Sequence, residues 1–128
     1  MTKKLVHRSQ MPIRWGDMDA MGHVNNTVYF RYIEQARIDW FIDLGFMPKP
    51  DGEGPVIVNA HCAFLRQLKF PGEIEVLTFV GVVGRSSFET LHEIRRLDIP
   101  EVLCAEAGAK VVWVNFQAEK SVRLPDAL

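Results

Sequence analysis

The chain is poor in cysteine, even in charge and free of long apolar runs, and each shortage narrows what it can be. Its two cysteines, Cys62 and Cys104, fall in no spacing that holds a metal or runs a dithiol cycle. Both are expected as buried, reduced thiols. Fifteen Lys and Arg stand against sixteen Asp and Glu, for a net charge of −1. With no basic excess to neutralise phosphates or an anionic surface, neither nucleic acid nor membrane is expected as a partner. No stretch approaches the roughly 20 apolar residues of a membrane span. The opening MTKKLVHRSQ is basic but has no apolar segment of a secretory leader, so none is expected and the cytoplasm is the expected setting. There is no internal repeat and no low-complexity tract.

What is present is a chain of 128 residues, 48% of them hydrophobic, the size of one domain spanning 1–128. Residues 6–15 read as a first strand. A helix is expected from about Asn26 to Leu44, because Tyr29, Ile33, Ala36, Trp40 and Leu44 recur at the spacing of one helical face. Asn25 or Asn26 suits its N-cap, Gly45 its stop, and Pro48 and Pro50 forbid continuation. KPDGEGP (49–55) reads as a loop. Residues 56–68 then alternate, placing Val56, Val58, Ala60, Cys62 and Phe64 on one face. FPGE (70–73) reads as a type II turn with Pro71 and Gly72 at its centre. Further strands are expected at 73–83, 87–97 and 102–116, with VGRSS (83–87) as a connection. Ala105, Ala107 and Ala109 on the last strand should let a helix approach closely. One long helix and about five strands in the order β-α-β-β-β-β make an α+β fold. Short turns make the late strands antiparallel. A helix laid across one curved sheet leaves sheet edges open, which a second subunit would cover.

The chemistry concentrates in WGDMDAMGHVNN (15–26), which sets two acids, a histidine and two asparagines before a helix start. D-x-D-x-x-G begins like a calcium loop, but the fifth position is Met21 and the twelfth Val28, where a calcium loop needs oxygen ligands. A transition-metal site would need a second histidine three or four residues beyond His23, and none follows. What remains is metal-free acyl chemistry. A carboxylate can attack or activate water, and free N–H groups at a helix start can hold a developing oxyanion. Asp and Asn before a helix also serve as ordinary caps, so the residues alone leave catalysis and capping both open. His61 and His92 sit in strands and read as structural. Ser86 and Ser87 lack a nucleophile elbow, which disfavours a Ser-His-Asp hydrolase.

RWGDMDAMGHVNNTVYFRYIEQAR (14–37) closely resembles the opening of hotdog-fold thioesterases of the 4-hydroxybenzoyl-CoA thioesterase type, in the bacterial acyl-CoA thioesterase branch. GRSSFE (84–89) and the order of strands resemble the family more loosely. The resemblance implies a hotdog fold, a long helix wrapped by an antiparallel sheet, and hydrolysis of a thioester without metal or cofactor. It makes Asp19 the nucleophile or general base and gives the backbone N–H near Asn26 the oxyanion. His23 matches members with G-H-V-N-N and is carried as a further catalytic candidate. Asp17, Asn25 and Tyr29 are carried as substrate-side residues, the first two also serving the loop and the cap. Arg85, Ser86 and Ser87 fall where the family binds the CoA phosphates, which suits an Arg fork. Glu34 and Arg37 are expected to form an ion pair on the helix. The implied substrate is an acyl-CoA or acyl-carrier-protein thioester, and the implied assembly a homodimer or a dimer-of-dimers tetramer. A hotdog enoyl-thioester hydratase and a non-catalytic acyl-thioester binding module are the alternatives.

Overall fold

The computed structural model describes residues 3–46, 52–126 and 128. Strand β1 (Lys4–Ile13) leads through a single 3-10 turn (Trp15–Asp17) to helix α1 (Asn26–Asp43). Strands β2 (Glu53–Phe64), β3 (Gly72–Val83), β4 (Ser87–Arg96), β5 (Ala105–Asn115) and a two-residue β6 (Lys120–Ser121) follow. All pair antiparallel in one sheet of order β1-β3-β4-β5-β2, with β6 alongside β5. This is the expected α+β hotdog arrangement, with α1 lying on one face of the sheet. β1 lies two residues earlier than the expected 6–15, β2 has already begun at Glu53–Pro55 within the expected loop, and β6 is an addition to the expected strands. Residues 47–51, with Pro48 and Pro50, lie outside the described residues. Gly72 opens β3 at φ 157°, not at the roughly +80° that a type II turn requires.

Both ends of α1 are satisfied locally. At its start, Asn25 Oδ1 accepts the Thr27 N–H at 2.9 Å. At its end, Gly45 takes φ 91° and donates to Ile42 O, while the Phe46 N–H reaches back to Phe41 O. That pair of bonds is a Schellman closure, and glycine adopts the positive φ without steric cost. The buried face comprises Tyr29, Tyr32, Ile33, Ala36, Trp40 and Phe41. The 3–4 spacing therefore found the right face, while Leu44 is the C-cap, only partly buried. Glu34 does not pair with Arg37. It takes Arg31 instead, at 3.1 Å, because both of those side chains lie on the solvent side of the helix.

Strand β2 departs from its expected alternation at one point. Ile57 pairs with Val111 and Asn59 with Lys110, so Val58 is an extra, unpaired residue. Such a bulge turns the following side chains over. Ala60, Cys62 and Phe64, opposite Ala109, Ala107 and Ala105, face the helix as expected, but Val56 points to the other side. The alanines of β5 also act differently from expectation. Helix α1 approaches β1 and β3 more closely than β5. The small side chains therefore leave a groove of about 250 Å³, with Ala107 and Ala109 on its sheet wall and Ile33 and Arg37 on its helix wall.

A polar layer divides the core. Met11, Ile33, Ile74, Val76 and Ile94 belong to one apolar cluster, and Trp40, Phe41, Phe88, Val111 and Trp113 to another. Between them lie buried Ser9, Thr78, Thr90 and His92. The His92 Nδ1 is 3.2 Å from Thr78 Oγ1, and its Nε2 has no partner among the described residues. Burial, assisted by the nearby Arg37 charge, pushes the His92 pKa down to about 3. Protonation is thus resisted in the folded chain and free near pH 6.5 in the unfolded chain, so this group erodes stability as pH falls from 6.5 toward 3. By pH 5 the loss reaches about 2 kcal/mol. Urea unfolding at pH 7 and pH 5 should show that much more acid sensitivity in the wild type than in His92→Gln. Equal acid sensitivity in the two proteins would contradict the assignment.

Candidate active site

The loop between β1 and α1 is built from its own backbone. Asp19 N–H donates to His23 O at 2.9 Å and Gly22 N–H to Asp19 O at 3.0 Å, around a Gly22 with φ 79°. Met18 and Val24 bridge antiparallel beneath this small turn. The loop is then fastened to the body at two places. Val24 N–H donates to Leu68 O at 2.8 Å. Asp17 Oδ2 accepts both the Arg14 N–H at 2.9 Å and the Tyr32 hydroxyl at 2.7 Å, while Asp17 O accepts the Asn25 N–H. Asp17 is therefore turned toward Tyr32 of the helix. Burial and this contact push the Tyr32 phenol well above its usual range.

Asp19 points the other way. It is exposed, its Oδ1 accepting the Met21 N–H at 2.9 Å and its Oδ2 lying 3.5 Å from Asn25 Nδ2. Asn25 thus caps the helix with its oxygen and faces the carboxylate with its nitrogen. Asp19, His23, Asn26 and Tyr29 line one cavity of about 580 Å³, whose far wall is formed by Phe64 to Gln67. The Tyr29 hydroxyl is spent on Arg66 O at 3.2 Å, so Tyr29 offers the cavity its ring. The Asn26 N–H, at the first helical position, takes no bond among the described residues, as the start of a helix leaves it. An exposed carboxylate and a free helix-terminal N–H on one cavity are the two parts that acyl transfer needs.

Arg85 lies elsewhere. Gly72, at one end of β3, pairs with Ile13 beside the loop, whereas Arg85 follows Val83 at the other end. A strand of that length separates them by roughly 35 Å. Arg85 shares a surface groove of about 610 Å³ with Arg123 and Asp126. Ser86 O and Ser87 O accept the Trp113 and Gly84 N–H groups, which holds this turn closed. The structure therefore brings Asp19, His23, Asn26 and Tyr29 together, sets Asp17 and Asn25 behind them, and leaves Arg85, Ser86 and Ser87 at the far end. Sequence reasoning missed Phe64, Arg66 and Arg123 as lining residues. Phe64 was readable as the last inward position of an alternating strand. Cys62 is free and half-buried, and burial raises its thiol pKa to about 11, which makes it a poor thiolate near neutral pH.

The Asp17–Tyr32 contact is the main side-chain tie between loop and helix, and a double-mutant cycle measures it. Tyr32→Phe should lower unfolding free energy by about 1–2 kcal/mol, with a coupling to Asp17→Asn of about 1 kcal/mol. Strictly additive losses would show that the two side chains do not act as a pair.

Known proteins resemble the chain over nearly its whole length. A solved structure from Pseudomonas aeruginosa, the PA2801 protein, described as a thioesterase, is 38% identical and superposes with a TM-score of 0.94. The match covers 97% of this chain and 95% of that one. A Xanthomonas campestris structure described as an acyl-CoA thioesterase is 35% identical, covering 88% of this chain and 95% of that one, with a TM-score of 0.81. YsmA of Bacillus subtilis is 28% identical over 118 residues, 92% of this chain and 79% of that protein. The sequence profile of the Thioesterase-like superfamily matches residues 13–128. The loop, the helix and the sheet behind them are thus those of a hotdog-fold protein, and the chain belongs to the Thioesterase-like superfamily.

Proposed function

We propose that the chain hydrolyses acyl-CoA thioesters to a carboxylic acid and free CoA, in the manner of the 4-hydroxybenzoyl-CoA thioesterase type. The observation that carries this reading is the pairing of Asp19 with the unengaged Asn26 N–H on one cavity. The thioester carbonyl oxygen would accept the Asn26 N–H, aided by the positive end of α1. Asp19 then either attacks the carbonyl carbon or takes a proton from an attacking water. The tetrahedral intermediate collapses by breaking the C–S bond, and the CoA thiolate leaves and is protonated; where Asp19 attacked, water then hydrolyses the acyl-Asp19 anhydride, which releases the acid and restores the carboxylate. His23, partly exposed on the same wall, would be the residue to pass the proton to the thiolate. Its ring makes none of the contacts that hold the loop, so its substitution should spare the fold.

The reading extends to assembly. Strand β2 is a sheet edge that exposes Val56, Ile57, Val58 and Phe64, an apolar edge that a second copy of the chain would cover. A two-fold pair running edge to edge would set the Arg85 turn of one chain toward the Asp19 loop of the other. That would resolve the wide separation of the two within one chain. Arg85, with Arg123 in the same groove, would then meet the CoA phosphates.

Three outcomes check the proposal. Asp19→Asn should keep its fold and release thiol from acyl-CoA at least ~100-fold more slowly; turnover near the wild-type rate would reject Asp19. Arg85→Ala should raise KM for CoA thioesters and barely alter hydrolysis of an acyl-pantetheine, which lacks the nucleotide. Equal damage to both would make Arg85 structural. Mixing inactive Asp19→Asn with inactive Arg85→Glu should restore part of the activity through mixed pairs. An active monomer by light scattering would overturn the shared site.

A further inference from the structure

Two hollows lie end to end along the same side of α1, and one side chain stands between them. The first is the Asp19 cavity, walled by Tyr29 and Phe64. The second is the groove of about 250 Å³ farther along the helix, walled by Phe30, Ile33, Ala60, Ala107 and Ala109, with Arg37 at its far part. Ala60, Cys62 and Phe64 are successive helix-facing positions of β2, so the floor of the groove runs along the strand directly to Phe64. At that point the Phe64 ring meets Tyr29 edge-on, with centroids 5.0 Å apart at 85°, and lies 6.3 Å from the Phe30 ring at 76°. The three rings thus pack against one another where the two hollows meet. The groove beyond them is small and mostly apolar; alanine and glycine form its β5 side, and Arg31, Glu34, Arg37 and His61 also line it.

We infer that Phe64 sets the acyl chain length this site accepts. The inference rests on the thioesterase reading and adds the substrate class to it. An acyl group whose carbonyl sits at Asp19 extends its chain along α1 and is stopped by the Phe64 ring, so the substrates are short-chain acyl thioesters. Without the ring, the cavity opens into the alanine-lined groove, whose apolar walls fit further methylene groups. Hydrophobic pockets discriminate by roughly 10-fold or more per methylene that is refused, which is enough to give a sharp cut-off. Phe64 is 44% exposed in the single chain but lies on the β2 edge proposed to meet a second copy, so light scattering on Phe64→Ala, which should keep the wild-type assembly, accompanies the test.

The test is the kcat/KM profile across saturated acyl-CoAs from acetyl to dodecanoyl. In the wild type it should fall at least 10-fold between hexanoyl and decanoyl. In Phe64→Ala the decanoyl-to-hexanoyl ratio should rise at least 10-fold. Adding Ala60→Phe to that variant refills the groove and should cancel the gain, which shows where the extra chain goes. A wild type that accepts decanoyl as readily as hexanoyl overturns the inference, as does an unchanged ratio in Phe64→Ala or a gain that survives Ala60→Phe. Dissociation constants of hexanoyl- and decanoyl-CoA on Asp19→Asn protein, with and without Phe64→Ala, give the same comparison without hydrolysis. If no thioester is hydrolysed, the thioesterase reading fails, and those binding ratios alone decide whether Phe64 gates the groove.

Discussion

A helix must leave its first N–H groups without partners, and the site is organised around that constraint. Asn25 satisfies one of them, the Thr27 N–H, with its side-chain oxygen and turns its amide toward Asp19. Asn26, whose own N–H takes no bond among the described residues, lines the same cavity as the Asp19 carboxylate. The cap and the proposed catalytic pair, which the residues alone leave as rivals, therefore occupy one arrangement and are compatible. The loop can hold it because its geometry does not depend on long side chains. Backbone bonds across Asp19, Gly22 and His23 close the turn, and Asp17 and Val24 pin its two ends to α1 and to residue 68. Rigid supports of this kind are what the proposed acyl transfer would require of the pair.

The body behind the loop shows a similar division of labour. Large aromatic residues, Trp40, Phe41, Phe88 and Trp113, pack the helix C-terminal half against the sheet. Toward the β5 and β2 side the packing thins to alanine and glycine, and a groove remains beside α1. The polar layer of Ser9, Thr78, Thr90 and His92 lies between the two apolar clusters. Its buried, uncharged histidine makes a core that favours neutral over acid conditions. Dense packing reaches the Asp19 cavity through Val24 and Tyr29, and the loosely filled region is the groove between α1 and strands β2 and β5.

Much of this was legible in the chain because it is local. The 3–4 spacing of apolar residues found the helix and its buried face, Gly45 marked its end, and Asn25 its cap. The short turns gave the antiparallel sheet, and the 14–37 stretch pointed to the family. What escaped was set by contacts distant in sequence or by features without a signature. The Val58 bulge inserts one residue with no mark in the pattern, so Val56 was put on the wrong face. Glu34 had two arginines at equal spacing, Arg31 and Arg37, and only the solvent-facing side of the helix decides between them. The alanines of β5 read as a close helix contact because small size says nothing about which strand the helix favours. Asp17, carried as a substrate-side residue that also serves the loop, finds its side-chain partner in Tyr32, fifteen positions on, which no local pattern marks. Arg85, read as a residue for the CoA phosphates, sits within one chain at the far end of β3 from the Asp19 loop.

The account turns on where a thioester carbonyl sits, and a crystal structure with a 2-oxoalkyl-CoA measures that directly. In this ketone analogue a methylene separates sulfur from the carbonyl, so hydrolysis is blocked while the shape is kept. The carbonyl oxygen should lie about 3 Å from the Asn26 nitrogen and the carbonyl carbon about 3.5 Å from an Asp19 carboxylate oxygen. The alkyl chain should run toward Phe64. A carbonyl bound away from the α1 N-terminus, with Asp19 still turned only to Met21 and Asn25, would contradict the account.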